Sequence, residues 1–184
     1  LSRLVEVTGA GHILGMPAVL KQMQAEIDKF ISNEGVTGVP FGLPDLDKLI
    51  GGFQPGTLIV IAARPGVGKS AFLAQGVSWA GMKDHIGLVF SMEMTPSSFV
   101  RRMVFAEAGI EMWALKLQEK AWPKLSMAYG KLAQHPTRFD SRESPTLAQI
   151  RSAAKMFSDR VRLDYVAVDY LQRVSYDARL EERI

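Results

Sequence analysis

Short apolar runs alternate along the chain with longer segments in which apolar residues recur every three or four positions. The apolar runs predict strands at residues 57–62, 86–91, 137–140 and 161–169. The periodic segments predict helices at residues 17–32, 43–50, 69–80, 95–108 and 145–158, and one or two helices at 112–134. Because strands alternate with helices, we expect an α/β fold with three layers and a mostly parallel sheet.

The first predicted strand and the first predicted helix both carry apolar side chains that other parts of the protein must cover. Residues 57–62 are apolar without interruption after Thr57, which is typical of a strand buried on both faces of a parallel sheet. Residues 17–32 place apolar side chains on one face and charged or amide side chains on the other. That apolar face needs a surface to cover, either on its own core or on a neighbouring subunit. We predict an N-terminal segment with this helix at residues 1–35 and a core domain at 36–184.

The amino-acid composition of the chain excludes several classes of protein. The chain has 184 residues, of which 47% are apolar, so it can bury a core of one domain. It has no cysteine, which excludes disulfides and thiolate metal sites. No window approaches about 18 uninterrupted apolar residues, so no membrane-spanning helix and no membrane partner are predicted. The net charge of +3 permits a polyanionic partner without requiring one.

Residues 63–70 carry the clearest chemical motif, because they follow an apolar run and lead into a predicted helix. They read Ala63-Arg64-Pro65-Gly66-Val67-Gly68-Lys69-Ser70. This fits the phosphate-binding pattern G-x-x-x-x-G-K-S/T, except that Ala63 replaces the first glycine. Gly66 and Gly68 free the backbone to curl, so that successive N–H groups can point at one anion.

Two side chains complete the predicted phosphate site. Lys69 supplies a positive charge for the outer phosphates, and the Ser70 hydroxyl can ligate Mg²⁺. The helix that begins there adds the positive end of its dipole. We therefore expect residues 63–71, including Ala71, to bind ATP, with Mg²⁺ at Ser70.

Two acidic residues stand at the ends of later apolar runs. Glu93 follows residues 86–91, and Asp169 ends residues 161–169. Ligands gather at the carboxyl ends of parallel strands, so both acids should meet Lys69 and Ser70 at one site. Asp169 is predicted to hold Mg²⁺ opposite Ser70, although it could simply cap a strand end. For Glu93, orienting an attacking water and merely stabilising a helix N-terminus remain equally open.

Several motifs taken together resemble one family. They lie at residues 39–47, 51–56, 63–70, 90–94 and 169–172. This combination resembles the C-terminal RecA-like motor domain of the replicative hexameric DNA helicases of bacteria and their phages, the DnaB family. The Ser-x-Glu-Met run at 91–94 and the Asp-Tyr-Leu-Gln run at 169–172 are the discriminating parts. A phosphate loop alone would match many unrelated ATPases and GTPases.

The resemblance implies an activity and partners. It raises Glu93 to the catalytic carboxylate, with Lys69 as the catalytic cation and Asp169 as a metal ligand. It further implies ATP hydrolysis that drives movement on single-stranded DNA, in a homo-hexamer joined through the linker helix at 17–32. A primase and a helicase loader are the partners implied, in the cytoplasm of a bacterial cell or a phage-infected host.

The resemblance also leaves differences and alternatives. The family's γ-phosphate sensor, DNA-contacting loops and arginine finger would follow Ile184, so we expect a RecA-like P-loop core that is incomplete at the C-terminus. Residues 178–184 are predicted to begin another helix. Another RecA-like ATPase, such as a recombinase or a clock-type hexamer, is an alternative. A non-catalytic ATP-binding loader or assembly module is a second.

Overall fold

The computed structural model describes residues 15–32, 36–116 and 121–175. The chain divides into two compact units, Leu1–Val60 and Ile61–Ile184. The predicted domain boundary at residue 35 and the predicted helix at 178–184 lie outside the described residues. None of the helices within the described ranges is long and apolar enough to cross a membrane.

The first unit contains two helices, α1 at Met16–Ser32 and α2 at Pro44–Ile50. Helix α1 confirms the predicted helix at 17–32, and the side chains described along it are all exposed. The large apolar ones among them are Met16, Val19, Leu20, Met23, Ile27 and Ile31. The amphipathic helix therefore presents an uncovered apolar face.

Asp47 organises the turns around α2. Its side chain is buried, and its two carboxylate oxygens accept hydrogen bonds from the N–H groups of Phe41 (2.7 Å) and Gly42 (2.8 Å). Its main-chain carbonyl accepts from Gly52 N at 3.2 Å, beside the bridge between Val39 and Phe53. One residue thus ties the loop before α2 to the turn after it.

We expect Asp47→Asn to lower the free energy of unfolding by about 2–3 kcal/mol, the size of lost charged hydrogen bonds. An amide offers only one accepting oxygen, so its NH₂ group would face one of the two N–H donors. Urea unfolding measures the loss. Asp45→Asn is the matched control, because Asp45 is exposed in the same helix. Its replacement should lower the free energy of unfolding by only a few tenths of a kcal/mol. Equal losses in the two variants would contradict the role of Asp47.

The second unit holds the sheet. Its helices are α3 at Lys69–Met82, α4 at Pro96–Ala108, α5 at Ala121–Leu132 and α6 at Leu147–Ser158. Its strands are β1 at Gly87–Ser91, β2 at Arg138–Asp140 and β3 at Tyr165–Asp169, and short 3₁₀ turns lie at Met112–Lys116 and Leu171–Arg173. The strands form a parallel sheet in the order β2-β1-β3. The alternation of strands and helices predicted from the sequence is therefore present.

Alternate residues of the central strand β1 point into different cores. On one face Val89 packs with Phe99 and Met103 of α4 and with residues of α3. On the other face Leu88 and Phe90 pack with Ile150 of α6. A sheet covered on both faces by helices gives the predicted three layers.

The predicted strand at 57–62 is wrong. These residues form no strand, and Leu58 is 88% and Val60 65% exposed. A strand needs a neighbour that supplies main-chain hydrogen bonds, and within the described ranges no residue pairs with this run. The strand predicted at 161–169 is shorter and begins at Tyr165; just before it, Asp164 N donates to Ile86 O at 2.9 Å while the Asp164 side chain accepts from Ile86 N at 2.8 Å.

Candidate functional site

The loop at residues 63–68 leads directly into α3. Gly66 has φ +80° and Gly68 has φ +108°, conformations that side chains with a Cβ rarely adopt. A Cβ at either position would meet no atom within 4 Å, so it is backbone conformation, not lack of space, that requires glycine there. The turn is tightened by Val67 N, which donates to Arg64 O at 3.3 Å.

The N-terminus of α3 is open to an anion. The first N–H groups of an α-helix have no acceptor inside the helix. At α3 no side chain caps them, in contrast to α4, where Thr95 accepts from Ser98 N. Residues 62–68 are also exposed. The first turn of α3 therefore has no side chain covering its N–H groups, and the loop before it is open to solvent, as an anion site requires.

Lys69, Glu93 and Asp169 lie together in the structure. Lys69 Nζ is 3.3 Å from Asp169 Oδ1 and 3.8 Å from Glu93 Oε2. The Asp169 side chain is 1% exposed, that of Lys69 27% and that of Glu93 49%. Ser70 follows Lys69 in the first turn of α3. Residues that are far apart in the sequence thus share one edge of the sheet.

Strand pairing explains why the two acids meet. The register of β1 and β3 places Ser91 opposite Asp169. Beyond that pair, the Asp169 carbonyl accepts from Met92 N at 2.9 Å and from Glu93 N at 3.3 Å. The Ser91 hydroxyl donates to Met94 O at 2.6 Å and closes the turn. Glu93 is therefore held on a short turn fastened to the end of β3.

Asp169 retains an unused ligand atom. Its Oδ1 pairs with Lys69, but its buried Oδ2 has no hydrogen-bond partner among the described residues. A buried carboxylate oxygen without a partner is unfavourable unless a cation or donor reaches it. Carboxylate and hydroxyl oxygens are the donors that Mg²⁺ prefers, so Asp169 together with Ser70 fits that ion.

The site includes one residue that the sequence did not single out for it. The Tyr170 ring lies beneath the Lys69 ammonium, which is 4.1 Å from the ring centroid. In the sequence Tyr170 served only as part of a family motif. Its position beside Asp169 could have indicated proximity to the site, but no spacing rule predicts which way an aromatic ring turns.

Comparison with known proteins gives consistent matches. The family described as "DnaB-like helicase C terminal domain" matches residues 38–184. The chain is 34% identical over 171 residues to "Replicative DNA helicase DnaC" of Bacillus subtilis (strain 168), covering 89% of this chain and 37% of that protein. It is 33% identical over 180 residues to "Replicative DNA helicase DnaB" of Geobacillus stearothermophilus, covering 94% and 39%. The chain spans about two fifths of the length of these relatives.

Two solved structures are also similar to this chain. A structure described as "ATPase Domain of G40P" matches with a TM-score of 0.79 and 25% identity, covering 95% of this chain and 63% of that one. "The Structure Of A DnaB-Like Replicative Helicase And Its Interactions With Primase" matches with a TM-score of 0.77 and 25% identity, covering 90% and 41%. The predicted RecA-like α/β fold is confirmed, with three strands in the described part of the chain.

Proposed function

Because the chain belongs to the DnaB-like helicase C-terminal domain family, we propose that it is the ATP-hydrolysing motor of a replicative DNA helicase. Family membership confirms the resemblance carried by the sequence motifs. The observation that carries the proposal is the meeting of Lys69, Glu93 and Asp169 beside a glycine loop and an uncapped helix N-terminus. Phosphoryl transfer depends mainly on positioning and on charge stabilisation, and these groups supply both.

The triphosphate of ATP would lie against residues 63–71. Main-chain N–H groups of the loop and of the first turn of α3 would donate to its oxygens. Lys69 now neutralises two carboxylates, and its ammonium would turn toward the β- and γ-phosphates when nucleotide arrives. The phosphates would replace the acids as its anionic partners.

Gly68→Ala tests this cradle. A Cβ at φ +108° costs about 1–2 kcal/mol, so the loop should leave its binding conformation and ATP affinity should fall about tenfold. Equilibrium titration with ATP and Mg²⁺ measures the change. Gly130→Ala is the control, because Gly130 lies in α5 with ordinary helical backbone and open space around it. An equal affinity in both variants would argue against a role for the loop conformation.

Ser70 and Asp169 would hold Mg²⁺. In the described ranges no group of three or more His, Asp or Glu side chains could hold a metal by itself. Mg²⁺ is commonly held by one or two protein ligands together with substrate phosphates, which suits this pair. When bound, the ion neutralises charge on the β- and γ-phosphate oxygens.

Glu93 would orient and deprotonate the attacking water. Its carboxylate is half exposed, so water reaches it, while its main chain is fixed by the Asp169 carbonyl. A base must lie within hydrogen-bond reach of the proton it removes, and a fixed turn favours that geometry. The neighbouring Lys69 and metal site would keep the carboxylate on the phosphate side.

We propose single-stranded DNA as the track and a homo-hexamer as the working assembly, with a primase and a helicase loader as partners in the bacterial or phage-infected cytoplasm. The exposed apolar face of α1 supports the assembly, since a neighbouring subunit would bury it. A similar solved structure is described with primase interactions, which supports that partner by analogy. The mildly basic charge is compatible with a DNA track.

The test is ATP hydrolysis by the natural full-length protein with and without single-stranded DNA, followed by unwinding of a forked duplex. Hydrolysis stimulated by single-stranded DNA, together with unwinding of the duplex, is expected. Hydrolysis stimulated by DNA without unwinding would favour a recombinase-like ATPase instead. Bound ATP with hydrolysis at background would favour a non-catalytic loader or assembly module.

A further inference from the structure

The Lys69 ammonium has an aromatic neighbour as well as acidic ones. Its Nζ lies 4.1 Å from the centroid of the Tyr170 ring, within the range of a cation–π interaction. The same Nζ is 3.3 Å from Asp169 Oδ1. The adjacent residues Asp169 and Tyr170 therefore both contact the positive charge of Lys69. The Lys69 side chain is partly shielded from water, which strengthens such a contact.

The main chain that carries the ring is held on both sides. Tyr170 follows the last residue of β3 and is extended, with φ −135° and ψ 164°. Its carbonyl accepts from Arg173 N at 3.0 Å, which starts the 3₁₀ turn at Leu171–Arg173. A lysine stem, in contrast, has four rotatable carbons and loses freedom when its head is fixed. A ring carried on a fixed main chain therefore limits the positions of a flexible cation.

We propose that Tyr170 is a positioning residue that holds the Lys69 ammonium at the mouth of the phosphate site. This inference rests on the proposed ATP-binding function. An aromatic face attracts an ammonium but carries no net charge, whereas a carboxylate partner is an anion that competes with phosphate for the ammonium. The ring thus holds the Lys69 ammonium near the site without adding a third anion that the phosphates would have to displace. Preorganising a binding group in this way increases affinity by lowering the ordering cost.

Tyr170→Leu removes the ring face, and Tyr170→Phe keeps it while removing the hydroxyl. We expect the Leu variant to bind a fluorescent ADP analogue with Mg²⁺ about 3-fold to 30-fold more weakly than the Phe variant, the range of a cation–π contact. The Phe variant should retain the affinity of the natural protein. In the Lys69→Met background the difference between Leu and Phe at position 170 should vanish, because the cation is gone.

Each outcome separates the two proposals. If the natural protein binds no nucleotide, the proposed function fails. If it binds but the Leu and Phe variants bind equally, the role of Tyr170 is overturned. The role of Tyr170 would also be overturned if Leu at position 170 weakened nucleotide binding equally in the Lys69→Met background. The effect would then be structural and independent of the cation.

A spectroscopic measurement does not depend on the Leu variant folding. A lysine head over a ring face should show ε-methylene proton resonances shifted upfield in the nucleotide-free natural protein and in Tyr170→Phe. The Lys69 resonance is assigned by its loss in Lys69→Arg. A Lys69 resonance at the position of ordinary lysines would overturn the contact itself.

Discussion

Glu93→Gln is expected to lower ATP turnover by about 10²–10⁴-fold, the usual contribution of a positioned general base. The amide cannot accept a proton from water, although it has nearly the shape of the carboxylate. ATP affinity should be retained or slightly higher, because Lys69 loses one of its two competing anions. Single-turnover hydrolysis and equilibrium ATP binding, measured on the same preparation, separate the two effects.

Glu143→Gln is the matched control for this variant. Glu143 also follows a strand of the sheet, β2, and it is exposed. The same chemical change there should leave turnover unchanged. If Glu93→Gln turned over ATP as fast as this control, Glu93 would be only an acid near the N-terminus of α4, as the sequence alone allowed.

The meeting of the predicted site residues could be foreseen from the sequence. Glu93 and Asp169 stand at the ends of two apolar runs, and parallel strands bring their carboxyl ends to one edge. That inference requires only that the strands of the sheet are parallel, and it does not depend on the order of the strands. For Lys69 the same inference relied on a strand at residues 57–62, which does not form. The structure adds what no pattern contained, namely the register of Ser91 opposite Asp169 and the hydrogen bonds that fasten Glu93 to that strand end.

The error at residues 57–62 has a different origin. An apolar run indicates that its side chains favour burial, but it does not identify the strand that would pair with the run. Strand partners are distant in sequence, as the β1 and β3 pairing of Gly87 with Tyr165 shows. Asp47 was unforeseen for a similar reason. Its two hydrogen bonds depend on how the loop before α2 turns, and aspartates are ordinarily exposed.

Lys69→Met should weaken ATP binding about 10-fold to 100-fold, because charge-assisted contacts to phosphate are lost. It should also lower the free energy of unfolding by about 3 kcal/mol, since it leaves the Asp169 carboxylate buried without its ionic partner. The two losses have different causes. ATP titration measures the first, and urea unfolding without nucleotide measures the second.

Lys69→Met combined with Asp169→Asn separates these causes. Removing the buried charge removes the penalty for leaving it unpaired, so most of the lost stability should return. ATP affinity should stay low, because neither the ammonium nor the carboxylate proposed to bind Mg²⁺ is restored. Stability that stayed low in the double variant would mean that the Lys69 stem, and not its charge, supports the fold. Unchanged ATP affinity in Lys69→Met would remove Lys69 from the phosphate site.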